Sequence, residues 1–272
     1  MNTGPALIDA HVHIHECYEI ESAFDSAAHN SGRIRSAMRY PDSVPSILWL
    51  VDQGDGAGIE PRLLSAGGAG HWRLEPLDGP TMGLRHAGTG DRLTVVFGRQ
   101  IRTAEDLEVL VVGTRAPAVS SLPLQETVEF WVEEDVLVML PWGFGKWTGS
   151  RGRTIVRAYE RFSPQGLRLA DTGAHSRYRR VPPVFARSLA DGYPILAGSD
   201  PFPFPDQVGA IGRTGFVLDH VPAEPDWSDL LTAVRSLKGQ PTRFGGPLGS
   251  REFVSLQAKM QFRKRLGGRG DG

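Results

Sequence analysis

The stretch Asp9-Ala10-His11-Val12-His13-Ile14-His15 follows the apolar run Ala6-Leu7-Ile8, and it constrains the chain more than any other segment. Residues two apart on a strand share a face, so a strand here projects His11, His13 and His15 to one side. The apolar lead-in reads as a buried strand of the kind that floors a barrel. Two neutral imidazoles at the end of such a strand supply half of a divalent metal site. The competing reading is a histidine-rich edge strand with ordinary hydrogen bonds. Placement at the end of the first strand favours metal.

The chain has 272 residues, enough for one large α/β domain or two small ones. A formal net charge of -1 gives no sign of nucleic acid or an anionic membrane as partner. No run approaches the roughly 18 apolar residues of a membrane helix. The first residues lack the basic-then-apolar pattern of a secretion signal. The single cysteine, Cys17, excludes an internal disulfide and fits a reducing, cytoplasmic setting. Cys17 reads as a buried structural thiol, with soft metal ligation as the alternative.

Apolar runs predict strands over 46–51, 93–97, 107–112, 136–140, 167–170 and 194–197. Helical spacing and breakers predict helices over 19–38, 123–134, 149–162, 182–191, 226–238 and 250–265. This alternation argues for an α/β fold with a mostly parallel sheet, expected as one (β/α) barrel of seven or eight strands over residues 1–265. Polar motifs follow the strand ends, where such barrels keep their chemistry. Residues 66–92 break the rhythm and read as a β-rich insertion, a hairpin covering the mouth. Residues 266–272 read as a disordered tail.

His11-Val12-His13 after the first strand and Gly198-Ser199-Asp200 after a late one resemble two families. These are the polymerase-and-histidinol-phosphatase (PHP) family and the wider amidohydrolase superfamily, both metal-bearing (β/α) barrels. The order of the pieces between favours PHP, over about residues 6–205. Leu50-Val51-Asp52-Gln53 looks like its second-strand Thr-Asp-His, and Phe97-Gly98-Arg99-Gln100-Ile101 like its Gly-x-Glu-Ile. Leu107-Glu108-Val109-Leu110 falls where the family has His-x-Leu. The resemblance therefore implies His11, His13, Asp200 and Glu108 as metal ligands. Departures are as telling. Gln53 replaces a histidine, Gln100 a bridging glutamate, Met139-Leu140-Pro141 an Ala-His-Pro, and Phe202 another histidine. Amides are poorer ligands than imidazole or carboxylate, and Leu and Phe cannot bind metal. One divalent ion, zinc or manganese, is expected rather than a three-metal cluster.

Other residues suggest a substrate site. Pro141-Trp142-Gly143-Phe144-Gly145-Lys146-Trp147 joins a strand to a helix, with Trp142 able to wall a pocket and Lys146 able to hold an anion. Some amidohydrolases bridge two metals with a carboxylated lysine, but Lys146 lies rather far beyond its strand for that. Arg151 and Arg153 open the next helix, where the dipole disfavours cations, which hints at a bound anion. Arg177, Arg179 and Arg180 add to that positive patch. An aromatic packing cluster with a solvated lysine explains the same residues. His15, Glu16 and His175 are the candidate bases or proton carriers. The expected activity is metal-dependent hydrolysis of a small anionic substrate, a phosphoester or a carboxylic amide. The alternative is a metal-free or metal-poor relative serving as a ligand-binding or interaction module. Oligomeric state is not fixed by these residues.

Overall fold

The computed structural model describes residues 3–53, 58–76, 78–117, 120–143, 145–176, 178 and 180–267. Its strands are β1 (Thr3–Val12), β2 (Ser46–Gln53), β3 (Gly68–Ala69), β4 (Trp72–Pro76), β5 (Thr81–His86) and β6 (Arg92–Arg102). They continue with β7 (Glu108–Val112), β8 (Leu137–Trp142), β9 (Arg168–Thr172), β10 (Ile195–Gly198), β11 (Gly215–Pro222) and β12 (Arg243–Phe244). The helices are α1 (Ile20–Met38), α2 (Glu60–Ala66), α3 (Leu124–Val132), α4 (Gly149–Phe162), α5 (Pro183–Ala190), α6 (Trp227–Ser236) and α7 (Ser250–Gly267). Six of these helices match the expected ones within a few residues, while α2 and β11 were not anticipated.

The main sheet runs β10-β9-β8-β7-β6-β2-β1-β11-β12 and curls into a nearly closed barrel. Its seam lies where β10 meets the end of β1, and there the Asp200 N–H donates to the His11 carbonyl at 2.8 Å. The α/β barrel expected from the sequence is present as a mixed rather than mostly parallel sheet. Pairs β1–β2, β2–β6, β8–β9 and β9–β10 are parallel, but β6–β7, β7–β8, β1–β11 and β11–β12 are antiparallel. Residues 103–107 form a tight turn between β6 and β7, with Thr103 N–H bonded to the Leu107 carbonyl and Asp106 at φ 59°. A parallel return needs a crossover of about a dozen residues or more, so this link is too short for one.

Two long strands each serve two neighbours along one edge. β6 pairs with β5 through Arg92–Val96 and with β7 through Gly98–Arg102. β1 pairs with β11 through its first half and meets β10 at its end. The β4–β5 hairpin therefore lies beside the start of β6, away from the strand C-termini, with Trp72 packed against Phe24 of α1. It does not cover the mouth as expected.

Side-chain alternation sorts the core. Ile8, Ala10, Trp49, Val51, Val96, Leu110, Met139, Ala170 and Leu196 fill the barrel, closed by Trp227, Leu230 and Val234 of α6. Val109, Val111, Leu140, Trp142 and Leu169 face outward under α3, α4 and α5. Phe253 and Leu256 seat α7 on Phe202, Phe204 and Leu248, while Phe262 is exposed. Leu266 and Gly267 belong to α7 rather than to a tail, and residues 268–272 lie outside the described set. Cys17 is exposed, correcting the buried-thiol expectation. No described helix is long and apolar enough to cross a membrane.

Candidate metal centre

The register of β1 against β2 shifts between Asp9 and Val12, so that Asp9 faces Leu48 while Val12 faces Leu50. One extra residue on β1 reverses its alternation there. Ala10 lies in the inner cluster, whereas Val12 packs in the outer one with Tyr18 and Phe24. The bulge turns His11 and His13 toward the mouth, where Gln100 continues the inward face of Val96 on β6.

His11 and His13 are 1% and 4% exposed. Their Nε2 atoms lie 2.9 Å apart, and Asp200 Oδ1 is 3.6 Å from the first and 3.7 Å from the second. Metal–ligand bonds of about 2.0–2.1 Å in a tetrahedron give edges of about 3.3 Å, a value these three separations bracket. These residues form the candidate metal-binding group among those described. The His13 Nδ1–H donates to the Val51 carbonyl at 2.7 Å, which leaves Nε2 unprotonated and aimed at its neighbours. Burial pushes the His13 imidazole down to about 3, and the adjacent His11 adds to that. A neutral imidazole lone pair is what a metal requires. His11 Nδ1 is buried without a hydrogen-bond partner among the described residues.

Asp9 organises both sides of the seam. Its Oδ1 accepts from Ser199 N at 2.8 Å and His11 N at 3.3 Å, and its Oδ2 from Gly212 N at 2.8 Å. Burial raises this carboxyl to about 6 against those three amides. Asp200 sits at φ 46°, a left-handed conformation that Asp tolerates better than most residues. Neither Asp9 nor Gln100 was marked as a site residue from sequence. Gln100 was set aside as a poor ligand type, yet its Oε1 lies 3.1 Å from both Nε2 atoms.

The remaining candidates divide. The His15 ring lies 5.5 Å from that of His13, and its Nε2–H donates to the Pro201 carbonyl at 2.9 Å. Burial lowers its pKa. Glu16 is exposed on the turn after β1, outside the group of three. Glu108 is also outside that group, and its carboxylate is paired with Lys146, so a proposed ligand and a proposed anion holder neutralise each other. Arg151 contacts Asp106 Oδ2 at 3.4 Å and the Gly145 carbonyl at 3.2 Å. Arg177 lies outside the described residues. Trp142 packs in the outer core against Phe185 and His175.

His175 is not placed as a free base. Ala170 faces the barrel, so Asp171 next to it faces out, and His175 Nε2 binds Asp171 Oδ1 at 2.9 Å. His175 Nδ1 lies 3.1 Å from the Ser176 carbonyl, and Arg243 binds Asp171 Oδ2 at 2.7 Å. Both ring nitrogens face acceptors, an arrangement that suits the imidazolium.

No protein-family profile matches the sequence, and no curated protein matches it. Among solved structures, the chain is similar to PsfC from Pseudomonas syringae PB-5123, at 12% identity and TM-score 0.52, over 98% of this chain and 99% of that one. It is also similar to the lesion-specific endonuclease PfuEndoQ from Pyrococcus furiosus, at 14% identity and TM-score 0.51. That match covers 88% of this chain and 57% of the endonuclease. At these identities the likeness is one of fold, an α/β architecture with a nearly closed mixed sheet. Because one similar fold belongs to an endonuclease, the near-neutral charge is no argument against nucleic acid.

Proposed function

We propose that the chain is a metal-dependent hydrolase acting on an anionic substrate, a phosphoester or a carboxylic amide. The observation that carries this reading is the convergence of His11 Nε2, His13 Nε2 and Asp200 Oδ1 at the open end of the barrel, with the His13 proton committed to Val51. A divalent ion held by these three residues would polarise the scissile group and acidify a water. His15 is neutral, with Nε2–H tied to Pro201, and its Nδ1 is the ring atom able to take a proton. Asp9 fixes the backbone of His11 and Ser199 and so holds the two halves of the ligand set in register. The half-buried amide of Gln100, standing where the resembled family has a carboxylate, favours the second reading, a binding module without turnover.

The test pairs metal analysis with a substrate panel. Purified protein reconstituted with zinc or manganese is assayed on phosphomonoester, phosphodiester, abasic-site DNA and carboxylic amide substrates. We expect turnover of one class, lost together with metal in His13→Ala. Stoichiometric metal with no turnover of any class would leave the binding module as the better account.

A further inference from the structure

We propose that Gln100 supplies the fourth ligand through its neutral amide oxygen, making the centre a single-ion site with residual positive charge that itself recognises the substrate anion. This rests on the metal reading above and specifies it. Oε1 of Gln100 stands 3.1 Å from His11 Nε2 and 3.1 Å from His13 Nε2, near the edge length of about 3.3 Å expected for ligands sharing one ion. The backbone that carries this side chain is fixed. Gln100 is paired on both strand edges, with Gln53 of β2 and Leu110 of β7.

Electron-pair accounting points the same way. His13 Nε2 carries a lone pair because its proton is on Nδ1. Gln100 Oε1 and Asp200 Oδ1 carry lone pairs too, and His11 Nε2 can offer them one proton at most. Gln53 Nε2 reaches His13 Nε2 at 3.4 Å as a second, long donor, so three acceptors share at most two protons, an arrangement that a cation among them would relieve.

Charge then sets the number of ions. The four groups contribute a single negative charge, from Asp200, so one divalent ion leaves the centre at about +1 by formal count. A second ion would need further carboxylates, and several of those around the barrel already have partners. Glu108 is paired with Lys146, Asp52 lies 3.6 Å from Arg99, Asp171 is held by Arg243 and His175, and Asp9 by three backbone amides. Lys146 is paired with Glu108, and Arg151 shares Asp106 with Arg102, so neither of these two cations is free to hold an anion.

The experiment titrates the metal-free full chain with Co²⁺, read by visible absorption, and then adds inorganic phosphate. The wild type is expected to take one ion per chain. Gln100→Leu should weaken Co²⁺ binding by about 10–100-fold and shift the d–d bands, a change that a packing role would not cause. Gln100→Glu should tighten Co²⁺ and weaken phosphate at least tenfold, because the added carboxylate cancels the residual charge. Wild-type spectrum and affinity in Gln100→Leu would overturn the assignment, as would two ions per wild-type chain. If Gln100→Leu fails to fold, Gln100→Glu decides: unchanged Co²⁺ and phosphate affinities overturn it. Absence of Co²⁺ binding by the wild type would instead remove the metal reading on which it stands.

Discussion

A histidine on a loop after a strand invites a catalytic role, yet His175 is spent on structure. Burial alone would pull its pKa down, but the hydrogen bond and charge of Asp171, with the Ser176 carbonyl, raise it above the ordinary 6.5. For Asp171, burial works upward and is outweighed by His175 and Arg243, so its pKa falls below the ordinary 3.8. The raised histidine makes its stabilising contribution fully below pH 6.5 and loses it as pH rises through the higher folded value. The lowered aspartate contributes above 3.8 and loses that as pH falls through its folded value. Removing one member of a buried pair costs about 3 kcal/mol. His175→Ala should therefore be destabilised by about that much at pH 6 in urea unfolding, with the gap to wild type narrowing at alkaline pH. Metal binding should be intact. A gap that widens at high pH would show that the ring is held neutral.

At the scale of elements, the centre depends on how closely β10 approaches β1. A Cβ placed on Gly198 would lie 2.3 Å from the His11 backbone nitrogen, a contact that backbone cannot relieve without moving. Gly198→Ala should push the strands apart, break the Asp200 N–H bond to His11 and cost about 1–3 kcal/mol. Co²⁺ affinity should fall more than tenfold while circular dichroism is kept; unchanged affinity would show that the seam does not position Asp200. This seam could not be read from sequence. Helical spacing located α1, α3, α4, α5, α6 and α7, and apolar runs located most strands, because burial on one face leaves a period. Strand direction leaves none, so the antiparallel turn at 103–107 was not read from the sequence. The bulge at Asp9–Val12 was equally silent: alternating histidines look the same whether they point in or out. Gln100 was passed over because residue type ranks ligands by chemistry, whereas its register on β6 brings its amide oxygen to the two histidines.

Across the whole molecule, the candidate ligands bridge the last gap in the barrel. His11 and His13 come from β1, and Asp200 follows β10, the two elements that meet at the seam without a full ladder. An ion held by all three would tie the ends of the curled sheet together, so its binding energy becomes folding energy. At a metal concentration 100 times Kd the gain is about 2.7 kcal/mol. For a chain of this size that corresponds to a rise in Tm of about 5–10 °C. Thermal unfolding followed by tryptophan fluorescence, with zinc or manganese added and then removed by chelator, should show the rise and its reversal. His13→Ala and Asp200→Ala should each lose the rise while melting, metal-free, within a few degrees of metal-free wild type. The metal-free comparison matters, because it separates a lost ligand from a damaged core. An equal rise in His13→Ala would mean that the stabilising ion sits elsewhere on the chain, and the seam would then owe its closure to the Asp9 and Asp200 hydrogen bonds alone.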